Sequence, residues 1–245
     1  MQIVTNEKLI KRNRRIGQVT TIASLVVLIG GLIASFTPEY LGYSFGALIG
    51  GFLLSQVGIY FGNRWGRSPR TDEKITAALK GLGDQYTLYH YTSPVPHLLV
   101  GPAGVLVFLP IYQAGTISYD ATKNRWKQKG GNWYLKLFGQ ESLGRPDMEA
   151  STYVKDMQSW LAKNFPGQPM PTPEALLVFT NDKAVLEVEG APLPAMMEDK
   201  LKEFIRRKVK GAAVSTAAIL SIQAALPKEE QPEKREKTAG DEKKG

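Results

Sequence analysis

Two runs decide how this chain must be read: IGQVTTIASLVVLIGGLIASF, from Ile16 to Phe36, and LGYSFGALIGGFLLSQVGIYFG, from Leu41 to Gly62. Between Arg15 and Arg64 the only charged side chain is Glu39. At about 1.5 Å per helical residue, each run is long enough to cross a hydrocarbon layer of about 30 Å. Thr37, Pro38, Glu39 and Tyr40 form the break between them and read as a turn, so the runs should make a tight transmembrane hairpin with both outer ends on one side. A cleaved leader is the competing reading of the first run. It fails on length, on the lack of a small-x-small cleavage site and on the second span that follows. A helical hairpin buried in a soluble core is the other alternative.

The flanks predict orientation. Lys8, Lys11, Arg12, Arg14 and Arg15 precede the first run, Arg64, Arg67 and Arg70 follow the second, and the turn has no basic residue. Positively charged flanks stay in the cytoplasm, so the reading is a two-span protein of the cell membrane with both termini cytoplasmic. Tyr40, Tyr43, Tyr60 and Trp65 lie near the run ends, where amphipathic rings favour the headgroup layer. Gly42, Gly46 and Gly50 recur every four residues, and Gly58 and Gly62 resume the register after Leu54. They predict a narrow groove that lets another helix backbone come close. The first run, through Ser24, Gly30, Gly31 or Ala34, is the expected partner. Self-association between chains is the alternative.

The net charge of +8 is mainly a topology signal. Residues 1–15, a basic cytoplasmic N-terminus, carry five basic side chains against Glu7 alone. Residues 71–226 are nearly balanced, and residues 227–245 are balanced, without aromatics and rich in Pro, Lys and Glu, which predicts a disordered tail. With no cysteine, disulfides, thiolate metal sites and cysteine nucleophiles are excluded. His90 and His97 are the only histidines, too few for a histidine-rich zinc site.

Residues 71–226 are long enough for one globular domain with its own core. Ile75, Ala78, Leu79 and Leu82 mark a helix that opens at Thr71. Tyr86 to Tyr91, Pro96 to Val100 and Val105 to Leu109 read as strands, the last two joined through Gly101, Pro102, Ala103 and Gly104. Thr116 to Tyr119, Asn124 to Gln128 and Trp133 to Phe138 predict a further antiparallel set. Glu149 to Phe165 is a helix by spacing, Ala175 to Thr180 and Ala184 to Val188 are strands, and helices are expected from Pro194 to Lys208 and from Ala212 to Leu226. Met196, Met197, Leu201, Phe204 and Ile205 should face the core.

The order of these motifs carries a resemblance. A helix with Glu73, then His97-Leu98-Leu99-Val100-Gly101-Pro102-Ala103-Gly104-Val105-Leu106-Val107-Phe108, then Gly115, Arg145-Pro146-Asp147-Met148-Glu149-Ala150 and Ala175-Leu176-Leu177-Val178-Phe179-Thr180, resembles the nuclease-related domain (NERD) family. The resemblance covers roughly residues 71–208. It implies an α/β domain with a mixed sheet flanked by helices, similar to restriction endonucleases. In that family an acidic residue before the first hairpin strand and a Glu-x-Lys at the end of the second hold magnesium at a phosphodiester. Here those positions are Pro96 and Leu109-Pro110-Ile111, none able to ligate a hard cation.

Glu73 matches the family's helix glutamate, and Glu149 stands where the family has glutamine; they are the remaining catalytic candidates. The resemblance therefore implies a membrane-anchored, nuclease-like binding or scaffold module without catalysis and without a cofactor. An active tethered nuclease, which would need magnesium, and a structural membrane partner are the alternatives. The strand around Trp126 puts Arg125, Lys127 and Lys129 on the opposite face, and the return strand adds Trp133 and Lys136. This pattern could grip nucleic acid or anionic lipid, or it is an amphipathic hairpin with its tryptophan in the core.

Overall fold

The computed structural model describes residues 1–131, 142–211 and 214–228. The expected strand from Trp133 to Phe138, with Lys136, and the tail from residue 229 lie outside the described residues. The chain opens with a strand that sequence reading does not supply, β1 (Gln2–Thr5), and runs directly into α1 (Glu7–Ala34). A 3-10 turn over Pro38–Tyr40 leads to α2 (Leu41–Phe61), which ends in a wide helical turn at Gly62–Gly66. The domain follows: α3 (Thr71–Ala78), β2 (Thr87–His90), β3 (His97–Gly101), β4 (Gly104–Ile111), β5 (Gly115–Asp120) and β6 (Arg125–Lys129). Then come α4 (Pro146–Asn164), β7 (Glu174–Phe179), β8 (Ala184–Glu187), β9 (Ala195–Met197), α5 (Glu198–Gly211) and α6 (Thr216–Ala225).

A six-stranded mixed sheet has the order β1-β2-β3-β4-β7-β9. The meander β2-β3-β4 is antiparallel, while β1, β7 and β9 join in parallel. Side chains alternate across it, as the two-residue period of a strand requires. On one face Leu88, Leu99, Leu106, Phe108, Leu176 and Val178 pack under α3 and α5. On the other, Tyr89, Leu98, Val100, Val105 and Val107 meet Met157 and Leu161 of α4 and Ile219 and Ile222 of α6. The fold is thus a mixed α/β sheet flanked by helices, with a smaller sheet, β6-β5-β8, over the far end of the second face. The β3–β4 turn needs its glycines: Gly104 has φ +106°, and a Cβ on Gly101 would stand 2.2 Å from the Tyr86 ring.

Met196 and Met197 depart from the expected helix. They lie in β9, half-buried, paired with Val178 and Phe179. Hydrogen bonding along β7 takes the segment into the sheet before the helical period begins at Glu198; Leu201 and Ile205 keep that period and are fully buried.

α1 and α2 are both long and apolar enough to cross a membrane. They pack antiparallel along small residues, but not along the row of five glycines. Gly17, Ser24 and Gly31 of α1 and Ser44, Gly51 and Gly58 of α2 are buried, each set spaced by seven. A Cβ on Gly58 would come within 2.5 Å of Thr21 Oγ1 and 3.0 Å of its backbone nitrogen, and one on Gly31 within 2.7 Å of Ala47 Cβ. A Cβ on Gly42, Gly46, Gly50 or Gly62 would meet nothing within 4 Å. At about 100° per residue, seven residues return within about 20° of the same face, whereas each step of four drifts by about 40°. The four-residue row therefore winds off the seam: of its members Gly58 lies in it, and Gly62 meets α1 only through its backbone, whose nitrogen would stand 3.1 Å from a Cβ on Gly17.

Gly58→Ala should destabilise the hairpin by about 1–3 kcal/mol, because behind the Thr21 hydroxyl the added methyl meets the Thr21 backbone, which cannot turn aside. Gly46→Ala should leave it unchanged. Unfolding of the full chain titrated from mild detergent into dodecyl sulfate, followed by helicity, checks the contrast; equal effects would contradict the seam.

Candidate functional site

Two of the three positions that the resemblance would compare with a nuclease centre are core. Leu109 and Ile111 end β4 and are each 5% exposed, in an apolar cluster with Ile117, Trp126, Ala150, Leu177 and Phe179. Pro96 is half-buried in the loop before β3, where its carbonyl accepts from Tyr91 N at 2.8 Å. Glu73 is fully engaged at the start of α3. It accepts from Arg70 N and Ser68 Oγ, both at 2.8 Å, and pairs with the Arg70 guanidinium at 2.8 Å. Burial pushes its carboxyl up, but those hydrogen bonds and the Arg70 charge win and hold it below the usual range. Glu149 is exposed in the first turn of α4 and accepts from Tyr153 OH at 2.9 Å. Leu109 and Ile111 come together; the two glutamates are spent on separate helix starts.

The strand β6 separates its side chains as expected. Arg125, Lys127 and Lys129 are exposed, and Trp126 on the other face is 4% exposed, against Tyr119 at 5.3 Å between ring centroids. Lys127 is paired with Asp120 at 2.7 Å. Asp120 Oδ1 also accepts from Thr122 N and Lys123 N at 3.1 Å, which closes the β5–β6 turn. Trp133 and Lys136 lie outside the described residues, so the basic face consists here of three side chains.

A polar group at the carboxyl ends of the parallel strands escaped sequence reading. Lys74 of α3 donates to the Thr180 carbonyl and lies 3.8 Å from Glu198. Thr180 N in turn donates to the Ile111 carbonyl at 2.9 Å. Among the described residues Glu198 Oε2 is buried without a partner, and burial pushes the carboxyl up, with Lys74 opposing and Asp182 and Asp199 adding. Sequence order hid the pair because its members are far apart in the chain and Glu198 fell inside an expected helix.

The densest polar cluster lies where the helical hairpin meets the sheet. Asn6 N donates to the His90 carbonyl at 3.0 Å, Asn6 Nδ2 to the Tyr91 carbonyl at 3.3 Å, and Asn6 Oδ1 accepts from Leu9 N at 2.9 Å. One residue thus ends β1, ties to β2 and caps α1. From the α2 side, buried Trp65 packs at a tilt against Tyr91, 4.6 Å between ring centroids, and Tyr91 lies against His97 at 4.9 Å. His90 and His97 are 1% and 2% exposed, with their Nδ1 atoms 2.8 Å apart, and His90 Nε2 meets Thr76 Oγ1 at 2.9 Å. A separation of 2.8 Å accommodates one proton between the rings, and the Thr76 hydroxyl can donate or accept, so it suits either tautomer. Beside them Asp72, 3% exposed, takes Arg70 Nε at 3.1 Å and Nη2 at 2.9 Å. The sequence places His97 on a buried strand, but the partner ring is visible only once the antiparallel register sets His90 opposite His97.

Comparison with protein-family models, with characterised proteins and with solved structures returned no match. Among the described residues no group of three or more histidine, aspartate or glutamate side chains is placed to hold a metal ion.

Burial pushes His90 down to about 4, with Asp72 opposing and Arg70 adding, and it drives His97 well below 6.5, with His90 and Arg64 adding. Both rings are neutral in the fold and titrate near 6.5 once unfolded, so below that pH the unfolded chain takes up more protons. Their contribution to stability is complete above about pH 6.5 and is lost as pH falls towards about 4. The melting temperature of the full chain should drop across that window more steeply than in a His90→Asn/His97→Asn variant. Carboxylates such as Glu73 add a slope common to both proteins, so parallel curves would exclude the pair as the cause.

Proposed function

We propose that this chain is a two-span membrane protein whose cytoplasmic α/β domain is of the nuclease-related kind, has lost its catalytic centre and serves as a binding or scaffold module. One observation carries the loss of catalysis: the side chains at the Glu-x-Lys positions, Leu109 and Ile111, are packed in an apolar cluster under α4 and the small sheet. The mixed sheet with helices on both faces is what the resemblance implies, and it supports that reading. Two apolar helices with basic outer flanks support the anchor and its orientation. The exposed Arg125, Lys127 and Lys129 offer a polyanion-binding face.

The active-nuclease reading has one observation in its favour, the Lys74–Glu198 pair beside the end of β4. The full chain must be assayed, because β1 supplies an edge strand that a fragment starting at Thr71 would lack. Purified protein with magnesium or manganese should cleave neither DNA nor RNA. Metal-dependent cleavage that disappears in Glu198→Gln or Glu73→Gln would establish catalysis and end the scaffold reading.

Topology has a clean test because the chain has no cysteine. In inside-out vesicles a membrane-impermeant maleimide should label Lys163→Cys and spare Glu39→Cys. The reverse pattern would invert the orientation.

A further inference from the structure

At the foot of the hairpin two separate segments bring their cations to one level. α1 has 28 residues, about 42 Å of helix, whereas a hydrocarbon layer takes about 30 Å. The charge-free stretch begins at Ile16, so the surplus of about 12 Å lies at the sheet end and carries Lys8, Lys11, Arg12, Arg14 and Arg15. Gly17 packs against Phe61 and Gly62, where an added Cβ would stand 3.0 and 3.1 Å from their atoms. Arg64 and Arg67, a few residues beyond, therefore join the α1 cations at the same depth.

Lys8 apart, these groups are available to a ligand. Ile10, Asn13 and Gly17 are the buried positions of this part of α1, and Lys11, Arg12, Arg14 and Arg15 are exposed around them. Among the described residues these four and Arg67 make no ion pair, while Arg64 leans over the Trp65 ring at 5.6 Å. Arg70, by contrast, is committed to Asp72 and Glu73. The one nearby carboxylate on α1 is Glu7, at its first residue. The α1 cations are also held in place: β1 pairs with β2 over four residues, and the Asn6 cap joins that strand to the helix.

We propose that this collar is a binding surface for anionic phospholipid headgroups, whose phosphodiesters the arginine guanidinium groups take by paired N–H···O hydrogen bonds. The proposal rests on the membrane reading above. Depth selects the occupant. The cations ring the helices between the sheet and the apolar spans, a layer that lipid phosphates fill and that a polynucleotide would have to enter between the domain and the bilayer.

The test uses the full chain in phosphatidylcholine bilayers doped with phosphatidylglycerol. Polymer nanodiscs cut from these bilayers are analysed for the lipid retained around the protein. Phosphatidylglycerol should be enriched over the bulk bilayer. The enrichment should fall at least about tenfold in Arg12→Gln/Arg14→Gln/Arg15→Gln, fall only in part in the Arg→Lys triple variant, which keeps the charge and loses the paired hydrogen bonds, and persist in Arg125→Gln/Lys127→Gln/Lys129→Gln. Wild-type protein that resists carbonate extraction yet shows no enrichment, or enrichment untouched by the α1 arginines, overturns the collar and leaves the membrane reading standing. Protein released by carbonate overturns both. Displacement of the lipid by a short oligonucleotide at low salt would assign the arginines to nucleic acid instead.

Discussion

Everything else in this structure depends on four residues of backbone pairing. Gln2 to Thr5 lie parallel to Thr87 to His90, and the next residue, Asn6, starts a 28-residue helix. A strand that hydrogen-bonds along its length cannot slide without losing the whole ladder, and a capped helix continues the direction that the strand gives it. The apolar hairpin is thus part of the sheet's own architecture. It does not hang from the domain by a linker. The return path is equally fixed, because α2 ends in a turn whose Trp65 is buried against Tyr91 on the same corner of the sheet.

That corner is polar where most of the core is not. Trp65 on Tyr91 would hold the spans to the sheet by contact alone, and apolar contact is non-directional. Around it are the His90–His97 pair, the Thr76 hydroxyl, the bidentate Arg70–Asp72 pair and the Asn6 side chain, each with a required angle. Buried polar groups of this kind add little net stability compared with well-packed apolar ones, and they are costly when a partner is lost. What they add is geometry: the angle between the helices and the sheet is set by hydrogen bonds that an alternative docking would leave unmade.

Much of this fold was legible in the sequence because period and punctuation agree. The Gly101 to Gly104 turn, the alternation around Trp126 and the 3.6-residue spacing of Leu201 and Ile205 each state local geometry that the tertiary structure keeps. What was not legible is long-range. A four-residue stretch such as Gln2 to Thr5 becomes a strand only beside β2, and three residues, Ala195 to Met197, leave the expected helix only because β7 offers them an edge. The glycines show the same limit within a helix. Both the spacing of four and the spacing of seven are present in α2, and only the neighbouring helix decides that seven is the seam. Of the candidate site, the apolar character of Pro96, Leu109 and Ile111 was readable one by one; the His90–His97 and Lys74–Glu198 pairs needed the register.

The seam and the corner also divide the hairpin's two faces of work. Small residues at intervals of seven let the helix backbones close on each other, and Thr21 and Ser24 satisfy their hydroxyls on carbonyls of α1 itself, Thr21 on Gly17 at 2.7 Å and Ser24 on Thr21 at 2.8 Å. These two hydroxyls then do not need the partner helix, and the close glycine contacts make helix pairing there a matter of shape. At the sheet end the balance is reversed, and the directional bonds of Asn6, the histidine pair and the Arg70–Asp72 pair join the packing of Trp65. A change in shape along the seam, as at Gly58, should therefore be felt as altered helix spacing, whereas a change in protonation at the corner falls on the His90–His97 contact within the sheet that the helices dock against. The two can be separated experimentally because the groups that titrate lie outside the apolar spans and the groups that pack lie within them.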